Sequence, residues 1–161
     1  MTMAGFSEIA QEEFDFLERE FDYKVVESKE KSGGGEVKYI NRDAGVGVKL
    51  VYEFASAFVF VFIYRLVDGE FWDNPLPICN DTDINCFDFN DYLEDERKMK
   101  PAYEYGENSD YYDPQNGLRN FTKEFARRLQ KEGKAILNGD LSALPAMASI
   151  IKRRAESLKR I

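Results

Sequence analysis

Histidine is absent from the 161-residue chain, and cysteine occurs only twice. Without histidine, the chain lacks the usual general base near neutral pH, the Ser-His-Asp and Cys-His arrangements, and the commonest metal ligand. Cys79 and Cys86 have no second cysteine pair with which to complete a zinc site, and we expect two free thiols in a reducing compartment. Catalysis would have to rest on carboxylates, Lys, Tyr or Cys. We therefore predict a non-catalytic protein with no catalytic residues, no metal site and no cofactor.

Long hydrophobic runs are also missing. No segment approaches the roughly 18 apolar residues that a membrane-spanning helix needs. The opening segment, MTMAGFSEIAQEEF, is acidic and lacks the basic flank and apolar core of a signal peptide. These absences predict a cytoplasmic protein with no membrane partner.

The N-terminal segment has the apolar spacing of an amphipathic helix. Its apolar residues recur at spacings of three and four, and its glutamates fall largely on the opposite face. The pattern predicts one helix over residues 5–21, with Ser7 as its N-cap residue. The apolar positions are Phe6, Ile9, Ala10, Phe14, Leu17 and Phe21.

The apolar period changes to two from residue 36 onward, which is typical of strands. Residues 46–54 have one polar face, whereas residues 57–66, AFVFVFIYRL, are apolar on both faces for most of their length. A tight connection joins the two and predicts an antiparallel hairpin. We expect helices from both ends of the chain to bury the second strand; the alternative is that one of its faces is a dimer interface. Residues 70–78 could add a short edge strand, limited by two prolines.

Two helices are predicted after residue 117. The first carries Leu118, Phe121, Phe125, Leu129 and Ile136 as one stripe and ends at Asn138-Gly139. The second begins near Asp140 or Ser142, tolerates Pro145 in its first turn, and has Leu141, Leu144, Met147, Ile151 and Leu158 on its apolar side. The predicted fold class is α+β: an N-terminal helix, an antiparallel β-meander of three to five strands, and two C-terminal helices packed on the sheet. The length predicts a single domain over residues 1–161.

Residues 78–116 do not continue these patterns. They are rich in Asn and Asp, include one glycine and two prolines, and are predicted to form a long exposed excursion, with one short helix around residues 89–98. Loops of this length in compact domains are usually functional or disordered. The excursion is therefore the first place to look for a functional surface.

Charge is distributed unevenly along the chain. The net charge of −8 divides into −4 over residues 1–67, −11 over residues 68–117 and +7 over residues 118–161. The strongly acidic middle opposes the approach of phosphates, so no nucleic-acid partner is predicted. The basic end is expected to line the solvent faces of the last two helices, and some of its charge to pair with the acidic excursion.

The acidic middle also carries tyrosines, and this combination suits a surface that binds a basic protein partner. Carboxylates steer the encounter, while aromatic rings supply buried contact area. The plainer alternative is a solvated acidic loop that a few rings anchor to the core. The candidate partner-binding residues are Asp81, Asp83, Asp88, Asp91, Tyr103, Tyr105, Asp110, Tyr111, Tyr112 and Asp113.

Two segments carry a resemblance to known proteins. EEFDFLEREFDYKVVE, followed by the alternating hairpin, and LNGDLSALPAMASIIKRR near the end resemble small bacterial α+β proteins. Many of these look like immunity proteins encoded beside polymorphic or contact-dependent toxins. The resemblance implies a protein that neutralises a cognate toxin by direct binding, and it transfers no catalytic residue. We expect a monomer or homodimer.

Two other functions stay open at this point. One is a small-ligand-binding protein or enzyme with a carboxylate-lined pocket between the sheet and the excursion, which raised carboxylate pKa values would favour. The other is an assembly or host-adaptation protein of a phage or mobile element. The sequence does not separate this last function from toxin neutralisation.

Overall fold

The fold is a five-stranded antiparallel sheet with helices before and after it, as the computed structural model describes it for residues 5–159. The strands are β1 (Lys24–Lys31), β2 (Gly34–Asn41), β3 (Val46–Glu53), β4 (Phe58–Arg65) and β5 (Cys86–Asp88), and they neighbour one another in chain order. The helices are α1 (Phe6–Glu13), α2 (Phe16–Phe21), α3 (Phe89–Tyr92), α4 (Gly117–Glu132), α5 (Lys134–Leu137) and α6 (Leu144–Leu158). The predicted α+β class is confirmed.

The N-terminal region forms two helices instead of the one predicted. A straight helix would place Phe14 and Phe16 on opposite sides, because successive residues turn by about 100°. The break between α1 and α2 lets both rings enter the core. Ser7 is not the N-cap either: Gly5 occupies that position, and the Glu30 carboxylate of β1 accepts the Ser7 N–H at 2.6 Å.

One face of the sheet packs against helices. Helix α1 packs on β2 and against α4, and α4 packs on β4. The pairings Val37 with Leu50 and Leu50 with Val61 place a continuous apolar row across the three inner strands on this side. Its fully buried side chains include Val37, Tyr39, Val48, Leu50, Val61 and Ile63.

The other face of β4 meets a terminal helix at its start, where Phe58 packs edge-on against Phe125 of α4 with ring centroids 5.2 Å apart. The rest of this face is covered differently from our expectation. Phe60 and Phe62 stack in parallel there, with ring centroids 5.6 Å apart, and both stay partly exposed. The ammonium of Lys49 lies 5.4 Å from the ring centroids of Phe62 and Tyr64. The sequence of β4 is apolar on both faces for most of its length. Helices cover one of these faces, and on the other the Lys49 side chain of β3 lies near two of its rings.

The segment after β4 holds no strand, so the predicted edge strand at residues 70–78 is wrong. A single bridge joins Val67 to Glu70, and the Phe71 ring then lies on Gly47, where an added Cβ would come within 2.5 Å of it. The fifth strand comes from the excursion instead: Phe87 of β5 pairs with Ile63 of β4. β4 is consequently the second strand from one edge.

The C-terminal helices follow the predicted boundaries with two differences. Gly139 adopts a φ of +101° and ends α5 as the Asn-Gly pair predicts, and Pro145 lies in the first turn of α6. However, Gly133 interrupts the first predicted helix and separates α4 from α5. Leu158 was placed on the apolar side of α6, but its side chain is exposed.

The excursion is only partly exposed, which corrects its description as an irregular surface loop. Its first half, residues 78–99, supplies β5, α3 and a short 3₁₀ turn, Asp95–Arg97. Its second half, residues 100–116, forms two more 3₁₀ turns, Ala102–Tyr105 and Asp110–Tyr112. The first half contributes five buried side chains to the core: Ile84, Phe87, Phe89, Leu93 and Met99.

Candidate protein-binding surface

The predicted site residues fall into two groups that lie towards opposite ends of β4. The first half of the excursion pairs with residues 62–64 of β4, whereas the second half is tied to its beginning, where the Ala102 N–H donates to the Ala57 carbonyl at 2.9 Å. The first group contains Asp81, Asp83, Asp88 and Asp91. The second contains Tyr103, Tyr105, Asp110, Tyr111, Tyr112 and Asp113.

Asp91 is engaged within the molecule. Its two carboxylate oxygens accept from the Arg154 guanidinium of α6 at 2.5 and 2.8 Å, in a bidentate pair. The Asp91 side chain is only 12% exposed. This carboxylate fastens α6 to the excursion and is not available to a partner without breaking that pair.

Asp88 has a structural task as well. It is the N-cap residue of α3, and its carboxylate accepts the Asn90 N–H at 2.9 Å. Burial, with a smaller contribution from the nearby charge of Asp91, raises the pKa of Asp88 to about 6. A raised pKa marks functional carboxylates in some proteins, but here the group caps a helix.

Asp81 and Asp83 are exposed beside the basic helix α6. Lys152 of α6 donates to the neighbouring Asn80 carbonyl at 2.7 Å. Asp83 and Lys152 both line a shallow groove between the excursion and α6. The cations of α6 therefore offset much of the negative potential of this first group.

The tyrosines of the second group divide into anchors and exposed rings. Tyr111 packs edge-on against the buried Phe121 of α4, with centroids 5.0 Å apart, and Tyr105 packs edge-on against Tyr111 at 4.9 Å. Tyr103 and Tyr112 are 58% and 49% exposed. Two rings thus hold residues 103–112 on α4 while two others are presented to solvent.

The carboxylates around these rings are without cationic partners. Residues 101–116 contain four acids and no Lys or Arg. Over residues 5–159, no ion pair involves Glu104, Glu107 or Asp110, and all three are exposed. We call Tyr103, Glu104, Glu107, Asp110 and Tyr112 the acidic tyrosine surface.

Asp113 lies at the border of this surface but acts on the backbone. Its carboxylate accepts the Gln115 N–H at 2.9 Å, just before α4 begins, and this hydrogen bond lowers the pKa of Asp113. The Asn120 amide of α4 donates to the Asp110 carbonyl at 3.1 Å. These bonds give the acidic tyrosine surface a defined backbone conformation.

Sequence reasoning missed Glu104 and Glu107, although a count of charges over residues 101–116 would have found them. It also missed an apolar loop at residues 71–77. Trp72 and Leu76 are 57% and 84% exposed there, while Asn74 anchors the loop through hydrogen bonds to the backbone of Asn85 and Cys86. The periodicity of the sequence does not distinguish such exposed apolar side chains from core residues.

The described residues contain no cluster of potential metal ligands. Between residues 5 and 159, no group of three or more His, Cys, Asp or Glu side chains is arranged to hold a metal ion. Cys79 and Cys86 are both free thiols. No helix in the same range is long and apolar enough to cross a membrane.

Comparison with known proteins identifies no relative. No protein-family model matches the chain, and no curated protein or solved structure is significantly similar to it.

Proposed function

We propose that this protein is a non-catalytic binding module that acts as an immunity protein in the bacterial cytoplasm and neutralises a cognate toxin by direct binding. The observation that carries the proposal is the acidic tyrosine surface. Its exposed rings and carboxylates belong to a segment whose backbone Tyr105 and Tyr111 fix against α4. The partner that fits it is a basic protein domain.

The arrangement suits rapid and tight capture. Unpaired carboxylates raise the rate of encounter with a cationic partner, and the effect weakens as salt screens it. Exposed tyrosines bury a large area at a small loss of side-chain entropy once contact is made. Because Tyr105 and Tyr111 already hold the backbone, little ordering of the loop is left for binding.

Neutralisation follows if the acidic tyrosine surface covers the groove in which the toxin binds its substrate. A toxin that acts on nucleic acid needs a cationic groove for phosphates. An acidic surface with projecting rings competes for such a groove by charge and shape. The immunity protein would then need no chemistry of its own, only a sufficiently slow dissociation rate.

The test is protection against the toxic domain encoded beside this gene. The toxic domain is expressed alone, with the wild-type chain, and with a variant that reverses Glu104, Glu107 and Asp110 to Lys. We expect growth to be rescued by the wild type and lost with the variant. With purified proteins, the three charge reversals should slow association more at low salt than at high salt.

The matched control reverses three exposed acids elsewhere, Glu8, Glu18 and Asp43, and so changes the net charge by the same amount. It should protect as well as the wild type. Failure of the wild type to bind or protect would contradict the proposed function. Protection by the wild type and by the Glu104, Glu107 and Asp110 variant alike would leave toxin neutralisation standing but overturn the assignment of the surface.

A further inference from the structure

A small cationic cleft lies between α4 and the 3₁₀ turn at Asp95–Arg97. Its volume is about 160 Å³. Leu93, which is buried, provides an apolar side. The remaining lining residues are Arg97, Arg127, Arg128, Lys131 and Glu132.

Positive charge exceeds negative charge in this cleft. Four cations line it, against the single carboxylate of Glu132, which accepts from Arg97 at 2.7 Å. Glu124 offsets part of the remainder from outside the lining, because it accepts from Arg127 at 2.7 Å. No ion pair involves Lys131 in the described residues. Even with Glu124 counted, two positive charges remain without a counterpart.

The guanidinium groups are held in place before any ligand arrives. Glu124 accepts from both Arg127 and Arg128, and Arg128 also donates to the Arg97 carbonyl. The same bonds fasten the 3₁₀ turn to α4, so cations from two separate elements converge. Arg127 donates from both Nε and Nη2 to Glu124, so an oxyanion would bind to its remaining Nη donors.

The cleft stands out against the charge of the whole protein. The chain carries a net −8, which repels anions from most of its surface. The size of the cleft limits the ligand: typical pockets for drug-sized molecules begin near about 300 Å³. A compact oxyanion with several negative charges fits these limits better than an extended polymer.

We propose that this cleft binds a compact multivalent oxyanion of the diphosphate class. Arg97, Arg127 and Lys131 contact the oxygens, while Glu124 and Glu132 position the guanidinium groups. Such an ion occurs free as pyrophosphate or as the phosphate chain of a nucleoside diphosphate. A neighbouring depression shares Arg127 and Lys131, is also lined by Glu20, Phe21, Gln130 and Lys134, and would receive the nucleoside.

The test is calorimetric titration of the full chain with inorganic pyrophosphate in a phosphate-free buffer of low ionic strength. We expect saturable binding of one ion per chain. Arg127→Gln and Lys131→Gln should each weaken the affinity at least about tenfold, because each removes a charged hydrogen-bond donor. Both side chains are exposed, so both variants should unfold at the wild-type temperature.

The matched control is Lys123→Gln, which removes one charge from the exposed side of the same helix outside the cleft. It should leave the affinity within about twofold, since screened surface charges contribute little. A parallel titration with adenosine diphosphate identifies the source: tighter binding than pyrophosphate assigns a nucleotide, and equal binding assigns the free ion. Absence of saturable binding, or equal weakening by Lys123→Gln and the cleft variants, would overturn the proposal.

Discussion

Both halves of the excursion are acidic, but they take different places in the fold. Residues 78–99 add a strand to the sheet, bury side chains such as Phe87, and pair Asp91 with Arg154 of α6. Residues 100–116 remain outside the sheet, and within residues 5–159 Glu104 and Glu107 are exposed and form no ion pair. Asp91 in the first half thus pairs with the basic helix α6, whereas the carboxylates of Glu104 and Glu107 in the second half stay exposed to solvent.

The largest expected effect is on stability and separates the halves directly. Phe87→Ala removes a buried ring from β5 and should lower the free energy of unfolding by about 3–5 kcal/mol. Tyr112→Ala, in the other half, should change it by less than about 0.5 kcal/mol. Urea unfolding of both variants measures the difference. Similar losses for the two would show that the second half also belongs to the core.

Removal of Arg154 should have the next largest effect. Arg154→Ala leaves the mostly buried Asp91 carboxylate without its partner, next to Asp88. We expect a loss of about 1–2 kcal/mol in unfolding free energy, reduced from a fully buried pair because the Arg154 side chain is largely exposed. Arg153→Ala, one residue earlier on the same helix, is the control and should be nearly neutral. Equal effects would mean that the pair contributes no specific stability.

Asp88 should make stability depend on pH. Its folded pKa of about 6 lies above the ordinary value of 3.8, so the folded state binds the proton more tightly than the unfolded state. Ionisation of Asp88 therefore destabilises the fold at neutral pH, and this penalty is relieved as pH falls from above 6 towards 4.

Asp88→Asn removes the penalty and keeps a good N-cap residue. At pH 7 it should raise the free energy of unfolding by about 1 kcal/mol, and the gain should shrink as pH falls towards 4. Urea unfolding at a series of pH values provides the measurement. A gain that stays the same at every pH would argue against titration of Asp88 as its cause.

The smallest expected effect on stability is the one most informative about function. Reversal of Glu104, Glu107 and Asp110 to Lys should change the free energy of unfolding by less than about 0.5 kcal/mol, because none of the three side chains is paired or buried. Thermal unfolding of the variant tests this. A large loss would indicate that these carboxylates support the fold and would weaken their assignment to a binding surface.

Local patterns predicted the regular elements well and the excursion poorly. The alternation over residues 46–54 indicates β3, and the spacing of Phe121, Phe125 and Leu129 indicates α4, since both patterns depend on neighbours close along the chain. Phe87 and Leu93 carry no comparable period, and acids surround them. Their burial follows from the position of β5 beside β4, which no short window of sequence contains.

The candidate site shows the same division. The composition of residues 101–116 is enough to predict an acidic surface with tyrosines. Which carboxylates remain free depends on contacts between distant positions, as with Asp91 and Arg154, which are 63 residues apart. The same is true of the cationic cleft, where Arg97 meets Glu132 across 35 positions.

Sequence alone determined the class of the fold, the helical stripes and strand alternation, the absence of histidine and the uneven charge. These follow from residue types and short spacings, on which local backbone preference and side-chain burial directly depend. Tertiary structure decided which face of β4 the helices cover, which half of the excursion enters the core, and which acids keep their charge unpaired. Those outcomes depend on packing and on electrostatic attraction between residues far apart in the chain, and only the folded path brings such residues together.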